Sequence, residues 1–333
     1  MSLMIGKPGL LTTVQDLGRF GFQKYGVIAS GAMDGFALRT ANLLVGNPQG
    51  AAGLEITMLG PEIWFEHTAL ISVCGGDLTP QLNGQPFPLW RTVLVPKGSV
   101  VTFGRMQLGC RAYLAVAGGI DVPLEINSRS TYLRAGIGGY QGRALRSGDV
   151  IPVGKSTPLG SQLLGVLVRN EEREAGAVSR WSAASSLRPA YTVSPEVRVI
   201  AGEQYKDFTA DSRQCFESEV FAVLPESDRM GYRFTGSPLK LEKPAEMIST
   251  AVTFGTVQVP PGGNPIVLMA DRQTTGGYPV IAQVASVDLP LLAQVNLGGK
   301  VRFRLISLEE AQHLHLQREE ALQTLEIGLG SLR

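Results

Sequence analysis

Histidine and cysteine are scarce in this chain, three of each in 333 residues, and the scarcity excludes several chemistries at once. Cys74, Cys110 and Cys215 lie far apart with no CxxC pair, so neither a zinc site nor a disulfide framework is expected, and a reducing compartment is the simplest setting. His313 and His315 fall on a terminal helical segment and His67 follows an apolar run. None has a metal-ligand partner at useful spacing, and a His-based nucleophile triad finds no support. Charge of one sign is also missing: 30 Lys and Arg face 29 Asp and Glu, for a net charge of +1. That balance argues against a polybasic nucleic-acid face and against an acidic tail. No apolar run approaches the roughly 20 residues that span a bilayer, and no basic segment with an apolar signal core opens the chain, so a soluble, cytoplasmic protein is expected, with no membrane and no nucleic-acid partner. Long helices between successive strands are absent too, which excludes a doubly wound parallel sheet.

What the chain has instead is glycine and proline, 40 and 20 residues, punctuating short β-branched runs. The pattern predicts a mainly β protein of barrel or sandwich type. Expected strands include 69–73, 93–95, 100–103, 112–117, 197–200, 220–224, 265–269 and 301–306. Three helices are expected. One follows Asp34 as cap, with Phe36, Ala37, Leu38, Ala41, Leu44 and Val45 at helical spacing and Gly46 and Pro48 as terminators. A short one begins after Asp288, with Pro290 in its first turn, and a terminal one opens with the capping box Ser307-Leu308-Glu309-Glu310. The length suits two domains. The charged run Glu171-Glu172-Arg173-Glu174 and the small residues after it mark a linker at 170–189, between lobes at 4–169 and 190–333. A faint echo between Asp16-Leu17-Gly18-Arg19-Phe20 and Asp228-Arg229-Met230-Gly231-Tyr232 hints at related lobes but is too short to establish a repeat.

Nucleotide signatures fail on spacing. Gly148-Asp149-Val150-Ile151-Pro152-Val153-Gly154-Lys155-Ser156 has five residues between its glycines where a P-loop has four, and Thr157-Pro158 stands where the helix should begin, so it reads as a turn. Gly136-Ile137-Gly138-Gly139-Tyr140-Gln141-Gly142 lacks dinucleotide spacing and reads as a hairpin loop, although its N–H groups can cradle an anion. Polar clusters remain. Gln15, Asp16 and Arg19, with Asp34 further on, combine amide, carboxylate and guanidinium, a set that binds an amide or carboxylate substrate through paired hydrogen bonds. The same spacing also suits a salt bridge between Asp16 and Arg19 that only fixes a loop. Arg129 and Arg134 beside the glycine loop suit a phosphate, or a solvated surface. Densest is Asp271-Arg272-Gln273-Thr274-Thr275-Gly276-Gly277-Tyr278-Pro279, where hydrogen-bonding groups crowd after an apolar strand and two glycines allow close backbone approach. Gln258 on the preceding strand extends this group.

These blocks, together with Ala41-Asn42-Leu43-Leu44-Val45-Gly46-Asn47, Tyr113-Leu114-Ala115-Val116-Ala117-Gly118-Gly119 and Ser128-Arg129-Ser130-Thr131, resemble over nearly the whole chain the family of KipA, allophanate hydrolase subunit 2 and the C component of bacterial 5-oxoprolinase. The resemblance implies a cyclophilin-like β-barrel architecture in two lobes with a few short helices. It also implies partnership with a KipI-like B component and an A component, and ATP-dependent opening of 5-oxoproline to glutamate, with ATP, and Mg beside it, as co-substrate. On that reading Asp16, Arg19 and Asp271 are catalytic; Gln15, Asp34, Gln258, Gln273, Thr274, Thr275 and Tyr278 bind substrate; and Arg129 and Arg134 take phosphate. Relatives include carboxyltransferase parts of urea carboxylases, but no Met-Lys-Met biotinylation site occurs here, so biotin would arrive on another chain. A regulator that antagonises a KipI-like kinase inhibitor is the third reading.

Overall fold

Alternating burial along the strands builds two separate β cores. The computed structural model describes residues 1–170, 176–243 and 247–332, the side chains of 169 and 170 excepted. The chain divides into two units, one made of 1–19, 34–189 and 320–333, the other of 20–33 and 190–319. Each unit therefore takes in a piece from beyond the 170–189 boundary. In the second, Met33 packs in the barrel core, which explains why 20–33 belong there.

In the first unit twelve strands form two six-stranded sheets. One holds β1 (Ser2–Lys7), β4 (Glu62–Phe65), β6 (Gln81–Leu82), β7 (Gln85–Pro86), β9 (Val100–Thr102) and β11 (Val150–Pro152), in the order β11-β1-β4-β9-β6-β7. The other holds β2 (Leu11–Gln15), β3 (Gly53–Thr57), β5 (Ala69–Asp77), β8 (Arg91–Val95), β10 (Leu108–Val116) and β12 (Ala177–Ser182), in the order β12-β8-β5-β10-β3-β2. Leu3, Ile5, Ile63, Phe65 and Val101 of the first sheet meet Leu54, Ile56, Ile71, Val73 and Leu114 of the second in one core. Period-2 alternation aims these residues at the same layer. β5 and β10 are buried on both faces, because the helix α1 (Gly35–Leu44) covers their outer side. The Asp34 carboxylate caps α1, accepting from the Ala37 amide at 2.9 Å.

Two departures from the sequence reading fall here. A helix α2 (Pro158–Asn170) begins where Thr157-Pro158 predicted a turn. Proline is tolerated in a first helical turn, and Thr157 Oγ1 caps the helix by accepting from the Gly160 amide at 2.9 Å. Within the expected linker, 177–182 form β12, antiparallel to β8, while Glu171 to Ala175 lie outside the described residues.

The second unit is a closed seven-stranded barrel of β13 (Glu196–Ala201), β14 (Val220–Val223), β15 (Gly231–Thr235), β17 (Thr256–Gln258), β18 (Ile266–Leu268), β20 (Val280–Val284) and β21 (Lys300–Leu305). The order is β13-β20-β17-β18-β15-β14-β21, closed by the parallel pair β13 and β21. A two-stranded ladder of β16 (Thr250–Ala251) and β19 (Thr275–Gly276) stands beside it. Val197, Val199, Phe221, Tyr232, Phe234, Val257, Val267 and Phe303 fill the interior, with the rings of Phe216 and Phe303 stacked at 4.8 Å. Phe216 comes from α3 (Ala210–Ser218), a helix missed in sequence because only Ser212 and Phe216 of it are buried. The expected helices after Asp288 and Ser307 form as α4 (Leu289–Ala293) and α5 (Leu308–Gly330), and Ser307 Oγ caps α5 by accepting from the Glu310 amide at 3.1 Å.

Candidate functional site

At the end of β2 the chain turns away at Asp16, whose carboxylate is held entirely by neutral donors. Oδ1 accepts from the Gly18 amide at 2.8 Å, the Ser128 hydroxyl at 2.7 Å and the Ser130 hydroxyl at 2.5 Å, and Oδ2 accepts from the Arg129 amide at 2.6 Å. Arg19 is fully buried and donates instead to backbone carbonyls, from Nε to Glu125 at 3.2 Å and from Nη2 to Ser130. The salt bridge allowed by the sequence between Asp16 and Arg19 is not formed, since the 125–130 segment lies where each can satisfy it separately. Gln15 is buried, its amide nitrogen donating to Thr13 Oγ1 and the Thr131 carbonyl, both at 3.1 Å. Its Oε1 has no partner among the described residues.

The glycine loop is committed to the fold. The Gly136 amide donates to Tyr132 O, Gly138 to Glu125 Oε2 at 3.0 Å, Gly139 to Arg129 O and Gly142 to Gly138 O. Gly138 has φ +68°, and a Cβ there would overlap both the Ser130 carbonyl and Arg19 Nη2. Glycine is needed because the backbone closes directly over the buried arginine. The near-P-loop is spent likewise, Gly148 donating to Ile5 O and Gly154 to Gly119 O. Arg129 is occupied, donating from Nε to Val122 O at 2.8 Å and from Nη2 to Asp121 at 2.9 Å, and Arg134 lies on the surface. Arg129 and the glycine-loop amides therefore have partners within the fold, and Arg134 is open to solvent.

In the second unit Asp271 anchors a buried cluster. Arg229 clamps it with Nε at 2.9 Å and Nη2 at 3.1 Å, and the Ser30 hydroxyl donates to it at 2.6 Å. Arg229 Nη2 also donates to the Gly31 carbonyl at 2.6 Å. The carboxylate thus fixes where the loop leaves β18. Arg272 donates to the Met269 carbonyl at 3.3 Å and lies 5.7 Å from the Phe254 ring centroid. Burial draws its guanidinium down to about 10. Gln273 and Thr275 are exposed, and the half-buried Thr274 accepts from the Val252 amide at 3.1 Å through its carbonyl. Gln258, 1% exposed, donates to the Tyr278 carbonyl at 3.2 Å. A Cβ on Gly276 would collide with that side-chain amide, so glycine here makes room for the glutamine.

Gly277, Tyr278 and Pro279 form one wall of a cleft of about 540 Å³, with Phe208, Leu239 and Pro260 on the others. That size lies within the range of small-molecule sites. Of the residues assigned to substrate from sequence, Tyr278 lines the cleft and Gln258 holds its carbonyl, while Asp271, assigned as catalytic, pairs with Arg229. Lys240 and the turn Pro260-Pro261-Gly262-Gly263 also line it and were passed over in sequence, although a Pro-Pro-Gly-Gly turn before β18 was a readable signal. No group of three or more His, Cys, Asp or Glu among the described residues is disposed to hold a metal ion, and no described helix is long and apolar enough to cross a membrane. Cys74 is buried, and desolvation pushes its thiol far up, which disfavours the thiolate.

A mainly β chain with a closed barrel and few helices is similar to one part of a solved structure, the Kluyveromyces lactis urea carboxylase. That structure matches 98% of this chain with a TM-score of 0.87 and 29% identity, and this chain spans 29% of its length. The family model of the carboxyltransferase domain, subdomains A and B, matches residues 25–305, and the chain belongs to this family. Within it, the C component of the 5-oxoprolinase of Haemophilus influenzae is 39% identical over 92% of both chains, and that of Escherichia coli 40% over 93% of both.

Proposed function

We propose that this chain is the C component of an ATP-dependent 5-oxoprolinase, which opens 5-oxo-L-proline to L-glutamate together with the A and B components. The observation that carries this reading is coextensive identity of 39–40% with two proteins of that name, over 92–93% of each chain. The geometry supports a substrate-holding part: a cleft of about 540 Å³, walled by apolar side chains and by the glycine-backed turn Gly277-Tyr278-Pro279, has room for a five-membered lactam. Lactam opening is slow because amide resonance leaves the carbonyl a poor electrophile. Coupling to ATP supplies the driving force, and we assign its phosphates to a partner chain, since Arg129 and the glycine-loop amides of this one are engaged within the fold. A glycine-backed loop that grips the ring and orients its amide is the contribution left to this chain.

Co-expression with the A and B components tests the proposal. The assembly is expected to release glutamate from 5-oxoproline only with ATP, and this chain alone to show little activity. Tyr278→Ala in the assembly is expected to raise KM for 5-oxoproline about tenfold. The family model and the urea carboxylase match favour a second reading, carboxyl transfer from carboxybiotin borne on another chain. An assembly that transfers carboxyl groups to an amide and hydrolyses no ATP in response to 5-oxoproline would establish it instead.

A further inference from the structure

The cleft beside Tyr278 has an unusual electrical composition. Among the described residues its lining is Phe, Pro, Leu, Met, Val, Tyr and Gly, with a single charged side chain, Lys240. Lys240 follows Leu239, whose amide is held by the Gly263 carbonyl, and its own amide donates to Ser212 Oγ at 2.8 Å, so the backbone that carries it is fixed. Its carbonyl accepts from the Thr209 amide at 2.9 Å. The ammonium itself makes no hydrogen bond or ion pair with any described residue. A cation with no acceptor among the described residues, carried on a fixed backbone beside a largely apolar cleft, favours one anionic group on a compact apolar body. A dianion would leave a charge without a partner against apolar walls, and a neutral molecule would leave the ammonium unused.

We infer that this cleft binds small cyclic monocarboxylates and that Lys240 is the residue that recognises the carboxylate. The Tyr278 ring and the prolines at 260 and 279 hold the body of the ligand. The inference deepens the proposed function and rests on it for the identity of the natural ligand, 5-oxoproline, whose single carboxylate and flat ring match this composition.

The test titrates the full chain with three probes, 5-oxo-L-proline, cyclopentanecarboxylate and the neutral lactam 2-pyrrolidinone, followed by calorimetry and by chemical-shift changes at Tyr278. Both carboxylates are expected to bind and the neutral lactam to bind at least tenfold more weakly. K240M should weaken both carboxylates about tenfold or more and leave 2-pyrrolidinone unchanged, as loss of one charge-assisted contact requires. K240R should recover part of the affinity. Lys240 is exposed, so both variants are expected to fold, which a thermal melt checks. The site is overturned if K240M binds the carboxylates as the natural chain does, if 2-pyrrolidinone binds equally well, or if neither carboxylate binds at roughly 10 mM. The two readings fail separately. Lys240-dependent carboxylate binding with no glutamate release by the assembly removes the function and leaves the site; glutamate release at unchanged KM by a K240M assembly removes the site and leaves the function.

Discussion

Asp16 and Asp271 are both buried aspartates at the exit of a strand, yet the two units neutralise them by different means. Asp16 is solvated by the protein as water would solvate it, with two hydroxyls and two amides. Asp271 is paired with a guanidinium, itself buried, and one hydroxyl. The arginines show the same contrast: Arg19 donates to the Glu125 and Ser130 carbonyls, whereas Arg229 donates to a carboxylate as well as to the Gly31 carbonyl. The lesson concerns failure. Removing a charge from a set of neutral dipoles leaves rotatable groups behind, whereas removing it from an ion pair leaves a stranded charge.

The largest effect is therefore expected at Asp271→Asn, which deprives the buried Arg229 of its carboxylate and should cost about 3–5 kcal/mol in urea denaturation. Substituting Arg229 and Asp271 together by apolar residues of similar size should recover much of that loss. Next is Gly138→Ala, about 2–4 kcal/mol, since the added Cβ overlaps both a backbone carbonyl and Arg19, and the φ of +68° disfavours it. Asp16→Asn keeps the shape and three of its four accepted bonds, and about 1–3 kcal/mol is expected. An Asp16→Asn loss equal to that of Asp271→Asn would break the contrast. The smallest effect belongs to a third carboxylate, Asp149, which Arg143 clamps at 2.7 and 2.8 Å at a partly open surface. Donation from Arg143 holds its carboxyl below the ordinary range, so the folded group is the stronger acid. Its stabilisation is complete above the ordinary value of about 4 and fades as pH falls below it. Solvent screening keeps it near roughly 1 kcal/mol, so the stability gap between the natural chain and Asp149→Asn should be flat from about pH 5 to 8 and narrow as the pH falls below about 4.

The same physical logic explains what was legible in advance. The α1 helix could be read because cap, apolar face and terminators are all local, and the strands of the barrel because period-2 burial is written in consecutive residues. α3 could not, because only two of its nine residues, Ser212 and Phe216, are buried, which leaves no apolar periodicity. The turn reading at Thr157-Pro158 gave way to a helix because proline blocks a helix interior but suits its first turn. At the site, the Asp271–Pro279 block was visible as a crowd of polar side chains beside glycines, but its division of labour was not. Asp271 proves to hold the loop, Gln258 to hold Tyr278, and Tyr278 to face the cleft.

By itself the amino-acid sequence determined that this is a mainly β protein with few helices, and its ordered blocks pointed to the family, because strand periodicity, caps and motif order are properties of neighbouring residues. Only the tertiary structure decided which glycines bind backbone rather than ligand, that Asp16 and Arg19 have different partners, and that Lys240 lines the same cleft as Tyr278. Those facts depend on pairings between residues far apart in the chain, such as Ser30 with Asp271, and no local pattern encodes where a distant acceptor will be.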